Sequence, residues 1–329
     1  MFRSLLLCLL LFALVPAWPA LAVELTPFAV RNLAPAALVH GLATAEPARL
    51  NRPGQTTALV DLAIISNASL SARDGEALRF DGESYVTVLG LRRGIGERLQ
   101  IGIDLPWVRH SSGFLDSFID SWHDLFGLPD GDRNRLPKDQ LVYGYAGGGK
   151  DDFLLDNGDG GFGDLRLHLA WQTHASEQLA ASLYGSLKAP TGDADDLTGS
   201  GAWDISLALS VQRDFALARG GAAVWGGIGA TWLGDGDLLA RQAEDWAVNG
   251  WLGAGWSPLE RLALKLQIDS HSALYDSKLR ELGDAALMLT VGGSLALTDA
   301  TTLDIGVGED LQVNASPDVV MQLTLRHRF

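Results

Sequence analysis

From residue 58 onward, apolar and polar residues alternate with a period of two, the spacing of a strand with two different faces. Leu165, Leu167, Leu169 and Trp171 alternate with Arg166, His168, Ala170 and Gln172. Ile205, Leu207, Leu209 and Val211 are set against Asp204, Ser206, Ala208, Ser210 and Gln212 in the same way. Leu262, Leu264, Leu266 and Ile268 do so against Arg261, Ala263, Lys265, Gln267 and Asp269. A soluble sandwich shares this alternation. Here, however, the apolar face is Leu-rich in strand after strand while the polar face carries charges in mid-strand, as when one side meets lipid and the other a wet lumen. Nothing after residue 22 has the uninterrupted apolar run of about 20 residues that a spanning helix needs. In hydrocarbon every backbone polar group must be paired, so the remaining way across a bilayer is a closed barrel.

The alternation predicts twelve strands, at about 58–68, 83–92, 98–108, 164–174, 178–188, 203–213, 221–233, 246–256, 260–271, 284–297, 301–310 and 317–329. The expected fold is all-β, a transmembrane antiparallel up-and-down barrel over 58–329. With the N-terminus in the periplasm, the turns Arg93 to Glu97, Ala175 to Glu177, Asp214 to Gly220, Ser257 to Leu259 and Thr298 to Ala300 are short and periplasmic. The opposite connections, 69–82, 109–163, 189–202, 234–245, 272–283 and 311–316, are longer and mostly acidic, the asymmetry of single-chain outer-membrane barrels. Trp107, Trp171, Trp232, Trp246 and Trp256 fall near strand ends, where an interfacial girdle places them. The last strand alternates up to Phe329, and a terminal aromatic on such a strand resembles the signal read by the barrel-assembly machinery. That machinery, outer-membrane lipid and lipopolysaccharide are therefore the expected partners.

The start of the chain agrees with export. Arg3 precedes the apolar run Leu5 to Val15, and Ala20-Leu21-Ala22 gives the small-x-small pattern of a signal peptide cut after Ala22. Cys8, the only cysteine, lies in that run, which excludes disulfides and thiolate metal sites from the mature protein. Lys and Arg number 25 against 40 Asp and Glu, a net charge of −15, so nucleic acid is an unsuitable partner. Residues 23–57 are rich in Ala and Pro and lack alternation, which leaves open whether they lie in the periplasm or in the lumen. In the long connection 110–163, Leu115, Phe118, Ile119, Trp122 and Phe126 oppose Asp116, Asp120 and Asp124 at helical spacing, predicting a helix over about 114–127. It would cap the barrel rim or fold inward to narrow the pore.

The strand registers turn Asp104, Arg166, His168, Lys188, Asp204, Lys265, Asp269, Asp304, Arg326 and Arg328 inward. Opposed charges across a lumen either select small polar or ionic solutes or knit a salt-bridged plug. Passive passage of a small solute is the leading expectation. His110 and Ser112 have the two-residue spacing of a hydrolase pair on one strand face, so hydrolysis of outer-leaflet lipid is the alternative, although no third triad member can be assigned. Asp151, Asp152, Asp156 and Asp159 cluster among glycines, but their spacing matches no calcium-loop pattern, and a solvated acidic loop is the expectation unless it serves a surface receptor. No cofactor is expected.

Several segments carry a resemblance. Pro27-Phe28-Ala29-Val30-Arg31-Asn32, and His110-Ser111-Ser112-Gly113-Phe114-Leu115-Asp116 leading through Trp122-His123 to Phe126-Gly127-Leu128-Pro129, resemble a proteobacterial family of outer-membrane proteins known only as a domain of unknown function. Lys188-Ala189-Pro190-Thr191-Gly192-Asp193, followed by Gly199-Ser200-Gly201-Ala202 and Asp204, looks like a loop of barrels associated with uptake of aromatic compounds. The resemblance implies an outer-membrane location, leaves the activity unassigned, and makes His110 the opening of a loop motif.

Overall fold

The computed structural model describes residues 23–117, 119, 121, 133–147, 149, 152–312 and 315–329. The expected leader and the helix positions 118, 120 and 122–127 lie outside the described residues. Fifteen strands form among the rest: β1 (Thr56–Arg73), β2 (Glu76–Ile95), β3 (Leu99–Ser111), β4 (Val142–Ala146), β5 (Phe153–Leu155), β6 (Gly160–Phe162), β7 (Leu165–Ala175), β8 (Leu179–Ala189), β9 (Asp204–Ala216), β10 (Gly221–Leu233), β11 (Trp246–Leu259), β12 (Leu262–His271), β13 (Ala286–Ala296), β14 (Thr301–Asp310) and β15 (Val319–Arg328).

Twelve of these pair antiparallel, neighbour to neighbour, and β1 pairs with β15, so the sheet closes and leaves no edge. Thr56 and Phe329 exchange backbone hydrogen bonds at the end of that seam. The short strands β4, β5 and β6, all within 142–162, extend the wall above β2 and β3 at the long-loop end.

Side chains alternate as the period of two requires. Leu207, Ile228 and Leu252 are 60%, 64% and 64% exposed on the outer wall, whereas their neighbours Ser206, Gly229 and Gly253 are buried. Trp107, Trp171, Trp232, Trp246 and Trp256 are exposed near strand ends, as expected. Such an oily belt is stable only against lipid.

Two expectations are corrected. The connection placed at 69–82 is no loop: β1 and β2 continue as one hairpin turned by Asp74 and Gly75 alone, at φ of 50° and 92°. Those two positive values are what the favoured two-residue hairpin turn demands, and Asp-Gly is its strongest sequence signal. Eighteen residues at a tilt near 45° rise about 40 Å against a hydrocarbon thickness of ~30 Å, so this hairpin stands proud of the membrane.

The predicted helix exists, since residues 116, 117, 119 and 121 are helical and Ile119 N–H donates to the Leu115 carbonyl. Its described residues do not fold inward. Leu115 and Ile119 pack on Ile64, Val319 and Met321, which face outward in the register of β1 and β15. Glu83 accepts the free N–H groups of Phe114 and Leu115 at the helix start, and Arg133 ties Asp116 to Asp318. The start of the helix takes this place because Leu115 and Ile119 find apolar side chains on the outside of the wall.

Candidate functional site

The lumen holds the N-terminal segment. Val23 N–H donates to the Glu260 carbonyl at the short-turn end, and the chain ascends from there along β12 to Asn32. The Asn32 amide donates to the carbonyl of Ala315 and meets the His271 ring, both at the long-loop end. A tight turn follows, in which Ala37 and Leu38 donate to the Ala34 carbonyl. The chain then descends to Asn51, and the Gly54–Gly94 and Gly94–Gln55 backbone bonds lead it into β1.

Because this segment has almost no secondary structure of its own, its buried backbone groups need partners from elsewhere. The wall provides them. On the ascending limb Gln212, Lys265, Gln267 and Gln322 donate to the carbonyls of Leu25, Thr26, Phe28 and Ala29. On the descending limb Lys188, Arg166, Asn249, Ser210 and Tyr184 donate to Val39, His40, Ala43, Glu46 and Pro47. Gln172 and Ser182 both hold Ala48, and Asp204 accepts the Gly41 N–H at 2.7 Å.

All ten charged positions expected to face inward do so, but they do not form two opposed open rows. Asp104 joins Arg92 at 2.6 Å and His168 at 2.8 Å, and Glu46 of the luminal segment completes that cluster. Lys188, 1% exposed, lies 2.6 Å from Asp164 and 3.3 Å from Asp204. Asp304 binds both Lys265, at 3.2 Å, and Arg326. The Lys265 ammonium also sits 3.9 Å above the Phe28 ring. Asp269 accepts from Gln267, and Arg328 reaches Glu24. The transverse field expected of opposed charges is therefore largely cancelled within clusters, several of which include the luminal segment.

The two ends of the lumen differ. At the long-loop end, Leu33 to Val39 pack with Phe80, Tyr143, Leu197, Leu239 and Tyr275 into one buried apolar cluster that seals the barrel. At the short-turn end a cavity of about 790 Å³ opens between the two limbs and β1, β2, β3, β7, β8, β9 and β15, reaching from Leu33 and Leu42 down to Arg52, Asp299 and Phe329.

The hydrolase pair is not brought together. His110 is fully buried under the seal, its Nδ1 bonded to Ser84 Oγ at 2.8 Å and its ring edge-on to Tyr143. Ser112 lies exposed beyond the end of β3. In the acidic loop, Asp152 accepts from Gly147 and Gly149, Asp156 and Asp159 are exposed, and Asp151 lies outside the described residues. Among the described residues no group of three His, Cys, Asp or Glu is placed to hold a metal.

Sequence reasoning missed Arg31, Asp61, Arg92 and the inward tryptophans. Trp225 and Trp251 are 2% and 5% exposed, and Trp225 donates to Gln267. The signal was glycine in the luminal register: a Cβ at Gly227 would fall 2.1 Å from the Trp251 ring, and one at Gly253 2.3 Å from Trp225 Nε1. Arg92 was legible as an inward position of the second strand.

The family model described as "Protein of unknown function (DUF3187)" matches residues 4–329, nearly the whole chain, in agreement with the resemblance of its loop segments. Among solved structures the chain is similar to an outer membrane channel from Pseudomonas putida F1, at 18% identity and a TM-score of 0.59 over 86% of this chain and 98% of that one. It is similar to the NanC porin at 8% identity and 0.46, over 82% and 97%. It is also similar to the toluene transporter TbuX of Ralstonia pickettii at 11% identity and 0.39, over 84% and 90%. The first of these likenesses establishes a shared barrel fold. No curated protein matches in sequence.

Proposed function

We propose that this chain, which belongs to the DUF3187 family, is an outer-membrane channel that passes small solutes through a lumen its own N-terminal segment obstructs. The observation that carries this reading is the cavity of about 790 Å³, lined by charged and polar side chains, open at the short-turn end and stopped beneath an apolar seal. A space of that size accepts a small organic molecule. The seal is made of one tight turn and of loops, so it can part without breaking the wall.

The short-turn end faces the periplasm in this reading, as in other single-chain barrels. Cleavage after Ala22 leaves Val23 as the first residue, beside the Glu260 turn at that end. The Phe329 ring, 74% exposed at the closing seam, is accessible to the barrel-assembly machinery, while lipid and lipopolysaccharide contact the oily belt.

Swelling of proteoliposomes tests the reading. Liposomes containing folded protein swell in small sugars or amino acids faster than empty ones and do not swell in a trisaccharide. Equal behaviour of loaded and empty liposomes with every solute would contradict it.

A further inference from the structure

Arg31 lies on the ascending limb, beside the seal, and lines the large cavity. Its Nη1 is buried and without a hydrogen-bond partner, and among the described residues no carboxylate forms an ion pair with its guanidinium. The carboxylates close enough to exert charge on it are Asp61, Asp104 and Asp164. Each is already committed. Asp61 accepts from Gln322 and Thr324, Asp104 from Arg92 and His168, and Asp164 from Lys188 and the backbone of Thr191, Gly192 and Ser200.

The cavity is lined by seven arginines, of which Arg49, Arg92, Arg326 and Arg328 are ion-paired, with Asp214, Asp104, Asp304 and Glu24. Its remaining wall includes Leu42, Leu59, Val86, Val88 and Tyr184. A guanidinium donor that is buried without a partner is unfavourable, and the planar donor fork of a guanidinium matches a carboxylate in particular.

We infer that Arg31 anchors a binding site for the carboxylate of a small organic anion, whose apolar body rests on the aliphatic wall of the cavity. The inference rests on the channel reading and names the class of solute that the channel takes. An organic carboxylate fits better than inorganic phosphate because phosphate leaves the aliphatic wall unused.

Calorimetric titration of the folded, detergent-solubilised full chain tests it with butyrate, 1-butanol and inorganic phosphate. Butyrate is expected to bind saturably, at least tenfold more tightly than 1-butanol or phosphate. Arg31→Gln weakens butyrate at least tenfold, while Arg31→Lys, which keeps the charge, retains part of the affinity; heat-modifiable gel migration verifies that each variant is folded. Butyrate binding no tighter than that of 1-butanol, or a folded Arg31→Gln that binds as the unaltered protein does, would overturn the site. So would tighter binding of phosphate, and the wild-type comparisons decide the matter even if a variant fails to fold. Swelling without butyrate binding removes the site and leaves the channel, whereas butyrate binding without swelling removes the channel and leaves the site.

Discussion

Asp104 shows how much a single inward residue carries. It neutralises Arg92 and hydrogen-bonds His168 from within the lumen, and removing its charge leaves a buried guanidinium with Glu46 alone, at 3.3 Å. Asp104→Asn is therefore expected to destabilise the folded barrel by about 3 kcal/mol, the lower end of what stranding a buried ion costs, measured as unfolding in urea against lipid vesicles. On the other face of the wall the sign of the rule reverses. Ile228, 64% exposed in the middle of β10, meets lipid, and Ile228→Arg costs about 2–4 kcal/mol in the same assay if the outer wall is immersed. A cost near zero would mean that this face is in water. The direction of each wall residue was legible because period two leaves only two choices. What each inward charge touches was not, since Arg92 and Glu46 lie 46 residues apart and meet only because the luminal segment runs back past β2.

Among the elements, the luminal segment was the least legible. Its backbone bonds run to side chains as far as 293 residues away, from Ala29 to Gln322, so no local periodicity records them. The polar residues that hold it were visible, but as a wet face, because a hydrated lumen and a lumen filled with irregular backbone both require inward donors. The β1–β2 hairpin was different: Asp74-Gly75 stood in the sequence, and the polar residues around it read as a loop because the strands leave the membrane there.

The docking of the luminal segment is expected to depend on pH through His40. Burial pushes its imidazole down to about 4 from the ordinary 6.5, with the Lys188 and His271 charges adding to the shift and Asp204 and Asp164 opposing it. The docked His40 is neutral, its Nε2 paired with the Tyr275 hydroxyl at 2.8 Å, whereas an undocked one takes up a proton below pH 6.5. Docking is thus fully stable above pH 6.5, weakens as the pH falls towards 4, and changes no further below it. The total loss is on the order of 3 kcal/mol. Hydrogen exchange of residues 33–41, corrected for intrinsic rates, should accelerate at pH 5 relative to pH 7.5, and His40→Gln should remove most of that difference. Equal protection at both pH values in the unaltered protein would exclude His40 as the cause.

At the scale of the whole molecule, twelve strands, closure and the asymmetry of turn lengths followed from alternation and from the bilayer's demand that every backbone group be paired. The state of the lumen did not follow, because it depends on where 33 residues without a pattern go, Val23 to Gln55. They ascend and return inside the barrel, sealing one end and leaving a chamber at the other. A barrel obstructed in this way conducts only when the luminal segment or its seal shifts.

Single-channel recording in planar bilayers, comparing the intact protein with a variant lacking residues 24–50 and verified as folded by heat-modifiable migration, measures that obstruction directly. The intact protein is predicted to give rare, small steps and the shortened one frequent steps several times larger. Equal conductance in the two, or a folded shortened barrel that passes no current, would contradict the account.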